Sequence, residues 1–355
     1  MSQPLASLSF DLDDKWSYLK THGDAGWTSL PSYLDVVIPR ALDVLRGQGL
    51  KTTFFVVGQD AAQPANHAAL RSIASAGHEI GNHSFHHEPW LHRYSPRQLE
   101  DELTAAEEAI EAATGVRPVG FRGPGYSLSP ALIASLIRRG YRYDASTLPT
   151  SLGPLARWYY LATARLSADQ KAERRRLFGG WSEALRPIRP YWWQLREEAT
   201  GEPLPSRRLL EIPVTTMPLF RTPFHLSYLL FLYQRSSVLA WSYWRVAKTL
   251  CRLTSVEPSL LLHPLDFLGA EDEPDLAFFP AMRMPRAEKV AFVRAVLADF
   301  QARFAVLPLG EFAQRISQRG HLPTRSVATP RGEVAAPHEV PAYPPSALAG
   351  EGSRR

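Results

Sequence analysis

Short apolar runs alternate with amphipathic stretches along the first 150 residues. Leu5–Leu12 is a short stretch typical of a largely buried strand, and 51–57 (KTTFFVV) is rich in β-branched and aromatic residues, which also indicates a strand. Between them, 32–48 carries apolar residues at helical spacing and is followed by Gly49. Because this strand–helix–strand rhythm continues to about residue 143, it predicts a parallel sheet, either open or closed into a barrel.

Two helix starts carry clear capping signals. Ser95 has the residue type of an N-cap, Pro96 suits the first helical position, and Gln98 stands where a capping box needs an acceptor. This helix is predicted to run to about residue 113, and a second begins at Ser129-Pro130.

The rhythm breaks between about residues 149 and 254, where basic and aromatic stretches surround an apparent core strand at 209–214. We therefore predict one domain over 1–322, with insertions at about 149–208 and 220–255. Residues 323–355 are rich in Pro, Ala, Gly, Ser and charge, so we expect them to form a disordered tail.

Composition excludes some classes of protein and leaves others open. The 45% hydrophobic content is that of a globular chain. The net charge of +5 is not gathered in one run, so a nucleic-acid partner is not expected. A single cysteine, Cys251, precludes both an internal disulfide and a cysteine metal cluster. Since no signal peptide is visible after Met1, we expect a cytoplasmic location.

Three carboxylates stand at the end of the first predicted strand. Strand side chains alternate, so Asp11 and Asp13 share one face while Asp14 points away. Like charges on one face require a compensating cation, and sites in α/β sheets lie at the carboxyl ends of strands. The alternatives are a solvated acidic loop or helix-capping acids.

His83 and His87 are spaced for one face of a helical turn, whereas His86 and His92 are not. Such a pair is often only a surface feature. Together with Asp13, however, it forms a two-histidine, one-carboxylate set with positions left for water and substrate. This set suits Zn²⁺, and also Fe, Co or Mn.

Five short blocks of the sequence resemble, in the same order, those of the polysaccharide deacetylase family of the NodB-homology type. This resemblance implies a distorted (β/α) barrel, here with a helical insertion, and hydrolysis of an N-acyl group on an amino sugar. The blocks are 9–13 (SFDLD), 83–87 (HSFHH), 121–126 (FRGPGY), 143–146 (YDAS) and 260–264 (LLLHP).

The resemblance also implies a role for each residue of the site. Asp11 would be the catalytic base, and Arg122 would orient it. His263 would be the general acid with Asp144 supporting it, and the backbone N–H of Tyr126 would help to hold the oxyanion. The metal ligands would be Asp13, His83 and His87.

One departure bears on the substrate. Many family members have adjacent aspartates in the first block, whereas Leu12 separates Asp11 and Asp13 here. The spaced form resembles a branch that acts on smaller or unusual amides, which argues against a polymer. A small non-carbohydrate amidase, an O-acetyl esterase and a binding protein without activity remain alternatives.

The apolar, aromatic stretch 224–246 has two interpretations. Arg235 and Arg245 interrupt it, so it is too short for a membrane span. We favour a buried or cap-forming helix pair, and the alternative is an element at a membrane interface. The latter would suit an N-acylated amino sugar on a lipid or nucleotide carrier.

Overall fold

The computed structural model describes residues 3–152, 185–196 and 203–327. Ten strands form its sheet: β1 (Leu5–Leu12), β2 (Thr53–Val56), β3 (Glu79–Asn82), β4 (Gly120–Phe121), β5 (Tyr143–Asp144), β6 (Tyr191–Arg196), β7 (Pro203–Glu211), β8 (Ser259–Leu262), β9 (Ala305–Leu307) and β10 (Thr324–Val327).

The α-helices of the described residues pack on the outside of this sheet. The predicted capping box of Ser95 and Gln98 is confirmed, and Ser129 caps the next helix as expected. The helices are α1 (Lys15–His22), α2 (Leu34–Gly47), α3 (Gly58–Ala61), α4 (His67–Ser75), α5 (Pro96–Thr114), α6 (Pro130–Arg138), α7 (Leu226–Tyr233), α8 (Ser237–Leu253), α9 (Arg286–Gln301) and α10 (Leu309–Ser317).

The sheet follows the order β10-β6-β7-β5-β4-β3-β2-β1-β8, and β9 also pairs with β1. All of these pairs are parallel except the antiparallel pair of β6 and β7. Two hydrogen bonds join the chain after β7 to β8. Thr215 N donates to the Ser259 carbonyl oxygen at 3.2 Å, and Ser259 N donates to Thr215 Oγ1 at 2.7 Å. The predicted distorted (β/α) barrel is confirmed.

Side-chain alternation along β1 separates a polar interior from an apolar exterior. Phe10 stacks on Phe54 and Phe267 outside the barrel, in the main core that α2, α8 and α9 share. Ser9 and Asp11 point the other way, and both contact Arg122. The acidic face of β1 is therefore interior, as strand alternation predicted.

The second insertion forms the predicted helix pair, α7 and α8. No helix within the described ranges is long and apolar enough to cross a membrane. Much of the first insertion, 153–184 and 197–202, lies outside the described residues. Strand β6 and the first part of β7 fall within 149–208, and both strands belong to the sheet. The predicted tail starts too early, because 324–327 form β10, which pairs with β6. The rest of the tail lies outside the described residues.

Candidate active site

The chemistry-bearing residues gather at the carboxyl ends of neighbouring strands. The last residues of β1 to β4 pair with one another in a single register row across the sheet. The residues that directly follow this row on β1, β3 and β4 are Asp13, His83 and Arg122. The parallel topology thus brings together side chains that are up to 109 residues apart in the chain, since 122 − 13 = 109.

Asp13, His83 and His87 converge on one point, as predicted. The Nε2 atoms of His83 and His87 lie 3.3 Å and 3.0 Å from Asp13 Oδ1. That oxygen is buried, yet neither contact has hydrogen-bond geometry. Three ligand atoms at about 2.1 Å from a shared tetrahedral Zn²⁺ would be about 3.4 Å apart. The spacing and the orphaned oxygen therefore fit a divalent cation.

Neighbouring groups orient the ligands. His83 Nδ1 lies 2.7 Å from the carbonyl oxygen of Arg122, which can only accept, so this nitrogen carries the proton and Nε2 is left for the metal. Burial opposes ionisation of Asp13, but the charge of His87 and the contacts from His83 outweigh it and hold the pKa of Asp13 well below its usual range. Asp13 is therefore ready to bind as a carboxylate.

Asp14 does not join the group formed by the ligand atoms of Asp13, His83 and His87. Its side chain caps α1 by accepting from Lys15 N at 2.7 Å, and it also accepts from Tyr33 N at 3.0 Å. Burial raises the pKa of Asp14 to about 6. The capping interpretation, which the sequence left open for this acidic cluster, thus applies to Asp14 alone.

Asp14 also belongs to a buried support beneath the metal site. Its carboxyl group interacts with that of Asp60, whose pKa is raised well above its usual range by burial and by the Asp14 charge. Asp60 Oδ1 accepts from Trp16 Nε1 at 2.6 Å. The Trp16 ring meets His87 edge-on, with 6.3 Å between centroids. These contacts restrain the orientation of the His87 ring.

The histidine pair does not lie on a helical turn, so that part of the prediction is wrong. Residues 83–87 form an irregular bend in which Ser84 and His87 adopt left-handed backbone angles, with φ of 63° and 53°. Glu102 on α5 holds the bend by accepting from the backbone N–H groups of Phe85 and His86, at 2.9 and 2.7 Å. His86 Nδ1 is also bonded to Glu102, so His86 is a structural residue.

Asp11 lies beside the metal site and is held by Arg122. Nη1 of the guanidinium donates to Asp11 Oδ1 at 2.5 Å and to Ser9 Oγ at 3.0 Å, while Nε donates to the Ala145 carbonyl oxygen at 3.0 Å. The guanidinium also lies 4.4 Å from the centre of the Phe55 ring. Because Arg122 is fully buried, it fixes Asp11 in one orientation and balances its charge.

His263 directly follows β8, which pairs with β1 on the side opposite β2. Since Phe10 pairs with Leu262, the next residues in the two strands are Asp11 and His263. The His263 ring is supported from α7 by Ser227, whose Oγ lies 3.1 Å from Nδ1. Ser227 in turn donates to Asp266 Oδ1 at 2.7 Å, and Asp266 Oδ2 accepts from the His263 backbone N–H at 2.8 Å.

This arrangement corrects the role of Asp144. Asp144 Oδ1 accepts from Ser146 at 2.5 Å, and its carboxyl group is coupled to Glu211. Within the described residues, no contact joins Asp144 to His263. Burial raises the pKa of Asp144, and burial together with the charge of Asp144 raises the pKa of Glu211 well above its usual range. Asp266 instead contacts both Ser227 and the backbone N–H of His263.

The predicted oxyanion donor is also engaged elsewhere. The backbone N–H of Tyr126 donates to the Gly123 carbonyl oxygen at 2.9 Å within a tight turn. Tyr126 has a left-handed φ of 61°, and burial together with the charge of Asp11 raises the pKa of its phenol. The side chain therefore lines the site as a neutral phenol, but the backbone donor is not free in this conformation.

Comparison with known proteins agrees with the motif pattern. Residues 22–143 match the family model described as polysaccharide deacetylase. This segment belongs to the polysaccharide deacetylase family. It contains both histidine ligands and Arg122, whereas Asp11, Asp13 and His263 lie outside it.

The deacetylase segment has curated relatives. A peptidoglycan deacetylase from Helicobacter pylori is 30% identical over 120 residues, which are 34% of this chain and 40% of that protein. The peptidoglycan-N-acetylmuramic acid deacetylase PdaA of Bacillus subtilis is 33% identical over 105 residues, 29% of this chain and 39% of that protein. The chain thus matches less than half the length of either relative.

A crystal structure from Mycobacterium smegmatis, described as a polysaccharide deacetylase, extends the likeness of fold. It covers 91% of this chain and 93% of its own, with a TM-score of 0.57 and 22% identity. The deacetylase fold therefore spans more of the chain than the family segment does. Sequence reasoning missed five supporting residues of this domain, because no local pattern marks their side-chain partners: Trp16, Asp60, Glu102, Ser227 and Asp266.

Proposed function

We propose that this protein is a metal-dependent hydrolase that removes an acyl group, with acetyl the first choice, from the nitrogen of an amino sugar. One observation carries the proposal. The ligand atoms of Asp13, His83 and His87 lie within 4.8 Å of one another. The buried Asp11–Arg122 pair and His263 stand at the carboxyl ends of the same group of neighbouring strands. A cation site, a base and an acid are the parts that amide hydrolysis requires.

Asp13, His83 and His87 would hold the divalent cation, for which Zn²⁺ is the first choice and Fe, Co or Mn are alternatives. When bound, such a cation polarises the acyl carbonyl and acidifies water. Asp11, oriented by Arg122, takes the proton of the attacking water. His263 gives a proton to the departing amine, which is a poor leaving group when it is unprotonated.

The substrate class rests on the family. Both named relatives are called peptidoglycan deacetylases, but the chain matches 40% and 39% of their lengths, so their polymeric substrate does not transfer directly. We propose an N-acylated amino sugar carried on a lipid or nucleotide. The cytoplasmic location expected from the sequence, at the inner surface of the membrane, stays a prediction.

The test combines metal analysis with acid release. The purified protein is expected to contain about one divalent ion per chain and to release acetate from a panel of free and carrier-linked N-acetyl amino sugars. Asp11→Asn should retain the metal and lose activity by about 10²-fold or more, as expected for removal of a general base. Asp35→Asn, an exposed aspartate on α2, is the matched control.

Two results would contradict the proposal. Full activity in Asp11→Asn would show that another group is the base. Preferential cleavage of matched O-acetyl sugars over N-acetyl sugars would replace the amidase with an esterase.

A further inference from the structure

Exposed apolar side chains are concentrated in one part of the molecule. The described residues include ten large apolar side chains that are substantially exposed, and six of them lie between residues 219 and 253. Exposed apolar residues scattered singly need no explanation, whereas a local concentration marks an interaction surface. The six are Leu219, Phe220, Val238, Leu239, Val246 and Leu253.

Leu219 and Phe220 form the tip of a small hairpin. Its base is closed by Met217 N donating to the Thr222 carbonyl oxygen at 2.7 Å and by Arg221 N donating to the Met217 carbonyl oxygen at 2.8 Å. Leu219 is 74% exposed and Phe220 is 62% exposed. Leu219 also has a left-handed φ of 72°, a conformation unfavourable for a branched residue. A turn that holds two apolar side chains outward despite this cost indicates a function for the tip.

The hairpin rests on an exposed apolar stripe of α8. The Tyr243 hydroxyl lies 2.7 Å from both Thr222 Oγ1 and the Pro223 carbonyl oxygen at the base of the hairpin. Leu239 and Val246, four residues before and three after Tyr243, lie on the same helical face, and both are exposed. The opposite face of α8 is buried through Trp244, so core packing does not account for the stripe.

The charge in this region has one sign. Residues 212–256 contain five lysines and arginines and no aspartate or glutamate. Lys248 is buried against Asp299, but Arg235, Arg245 and Arg252 are exposed. A segment that exposes apolar side chains and arginines, and itself contains no acidic residue, matches the headgroup region of an anionic bilayer. A cognate protein surface would require acidic groups opposite these arginines.

We propose that the hairpin tip and the exposed stripe of α8, together called the α8 face, dock on an anionic lipid surface. The apolar tip inserts at the level of the headgroups, and the arginines contact lipid phosphates. No part of the chain crosses the bilayer in this arrangement.

The α8 face adjoins the acid side of the active site. Ser227 on α7, the helix before α8, contacts the ring of His263. Docking would therefore bring His263 and the opening of the barrel close to the membrane. This consequence rests on the proposed function and suits a lipid-linked amino sugar, but lipid binding itself does not depend on any activity.

The experiment is vesicle flotation of the full chain at low and high salt. Vesicles of phosphatidylcholine are compared with vesicles containing one quarter phosphatidylglycerol. Binding is expected for the anionic vesicles and should fall as salt rises from about 50 to 500 mM, because screening shortens the reach of the arginine charges. The double variant Leu219→Ser/Phe220→Ser should lose at least about tenfold in vesicle affinity.

Val36→Ser, an exposed valine on α2, is the control for apolar loss elsewhere. Arg245→Glu/Arg252→Glu gives an independent test should the hairpin variant fail to fold. Both double variants should keep wild-type activity on a soluble N-acetyl amino sugar. Lipid binding without activity would refute only the proposed function, and activity without lipid binding would refute only the docking.

Equal flotation of wild type and both double variants would overturn the proposal. So would a wild-type protein that ignores anionic vesicles but forms a dimer that Leu219→Ser/Phe220→Ser dissociates, because the α8 face would then be a protein interface.

Discussion

Removing the Ser227 hydroxyl should impair protonation of the leaving amine by His263 and leave metal binding and water activation intact. Ser227 donates to Asp266 Oδ1 at 2.7 Å, so its oxygen accepts from His263 Nδ1, which is 3.1 Å away. In Ser227→Ala the protonated ring loses this acceptor. A hydrogen bond to a charged group contributes about 1.5–3 kcal/mol, which corresponds to about a 10- to 100-fold decrease in rate.

The assay compares two acetyl substrates that differ in leaving group. Release of an amine from an N-acetyl sugar requires a proton from His263, whereas release of a phenolate from an activated acetyl ester does not. Ser227→Ala should therefore slow the amide by about 10- to 100-fold and the ester far less. The alkaline limb of the amide rate profile should also move to lower pH. Ser227→Thr, which keeps a hydroxyl, is expected to restore much of the amide rate.

The reasoning would be refuted if Ser227→Ala slowed ester and amide equally. That result would mean that Ser227 shapes the site without acting through the acid. An unchanged pH profile with a reduced amide rate would lead to the same conclusion.

Three further predictions concern the metal and its support. His83→Ala should lose bound metal, and with it the stabilisation that added Zn²⁺ confers, which is about 2.7 kcal/mol at a hundredfold excess over Kd. The control is His321→Ala, at an exposed histidine, which should lose neither. Equal metal content in the two variants would disprove the ligand assignment. Glu102→Gln should weaken metal binding by about 10- to 100-fold in a competition titration, because Glu102 holds the backbone of the histidine bend. Burial raises the pKa of Asp14 from 3.8 to about 6, so the folded state keeps this proton to higher pH than the unfolded state, and the associated stability is lost as pH rises through about 6. Denaturant titrations should show that the free energy of unfolding of wild type, relative to that of Asp14→Asn, falls by up to about 3 kcal/mol between pH 4 and pH 7. A rise over the same pH range would exclude the buried proton.

Alternation along one strand was enough to predict the centre of the site. The side chains of β1 take opposite faces in turn, so Asp11 and Asp13 could be assigned to the interior and Asp14 excluded without any tertiary information. The parallel sheet then brought His83 beside Asp13, because strands β1 to β3 end in one register row. Periodicity and sheet topology are strong constraints where strands are regular.

The predictions failed where backbone geometry is irregular. The spacing of His83 and His87 indicates a helical face, but the left-handed residues Ser84 and His87 turn the chain so that both imidazoles face Asp13 from a bend. Strand β4 is also irregular in length, since only Gly120–Phe121 pairs with its neighbours. Short strands at a barrel rim leave too little pattern to locate their ends.

The residues that contact His263 were the least predictable part of the candidate site. Ser227 lies in an insertion 36 residues before His263, and no periodic pattern connects them. Asp144 received its role by resemblance to the family, not from geometry, and the structure pairs it with Glu211. A motif match predicts which residue types relatives share. It does not predict the contacts of a residue when an inserted helix supplies a different partner.

The position of β1 has a consequence for how the protein assembles. β1 pairs with β8 at Phe10–Leu262 and with β9 at Leu5–Ala305, so these partners are synthesised some 250 to 300 residues after it, since 262 − 10 = 252 and 305 − 5 = 300. Contacts of such long sequence separation form late in folding. The aspartates at the end of β1 would reach their final positions only after β8 and β9 have been synthesised. Metal binding would then indicate that these strands have paired, and a chain that ends before β8 would lack a complete site.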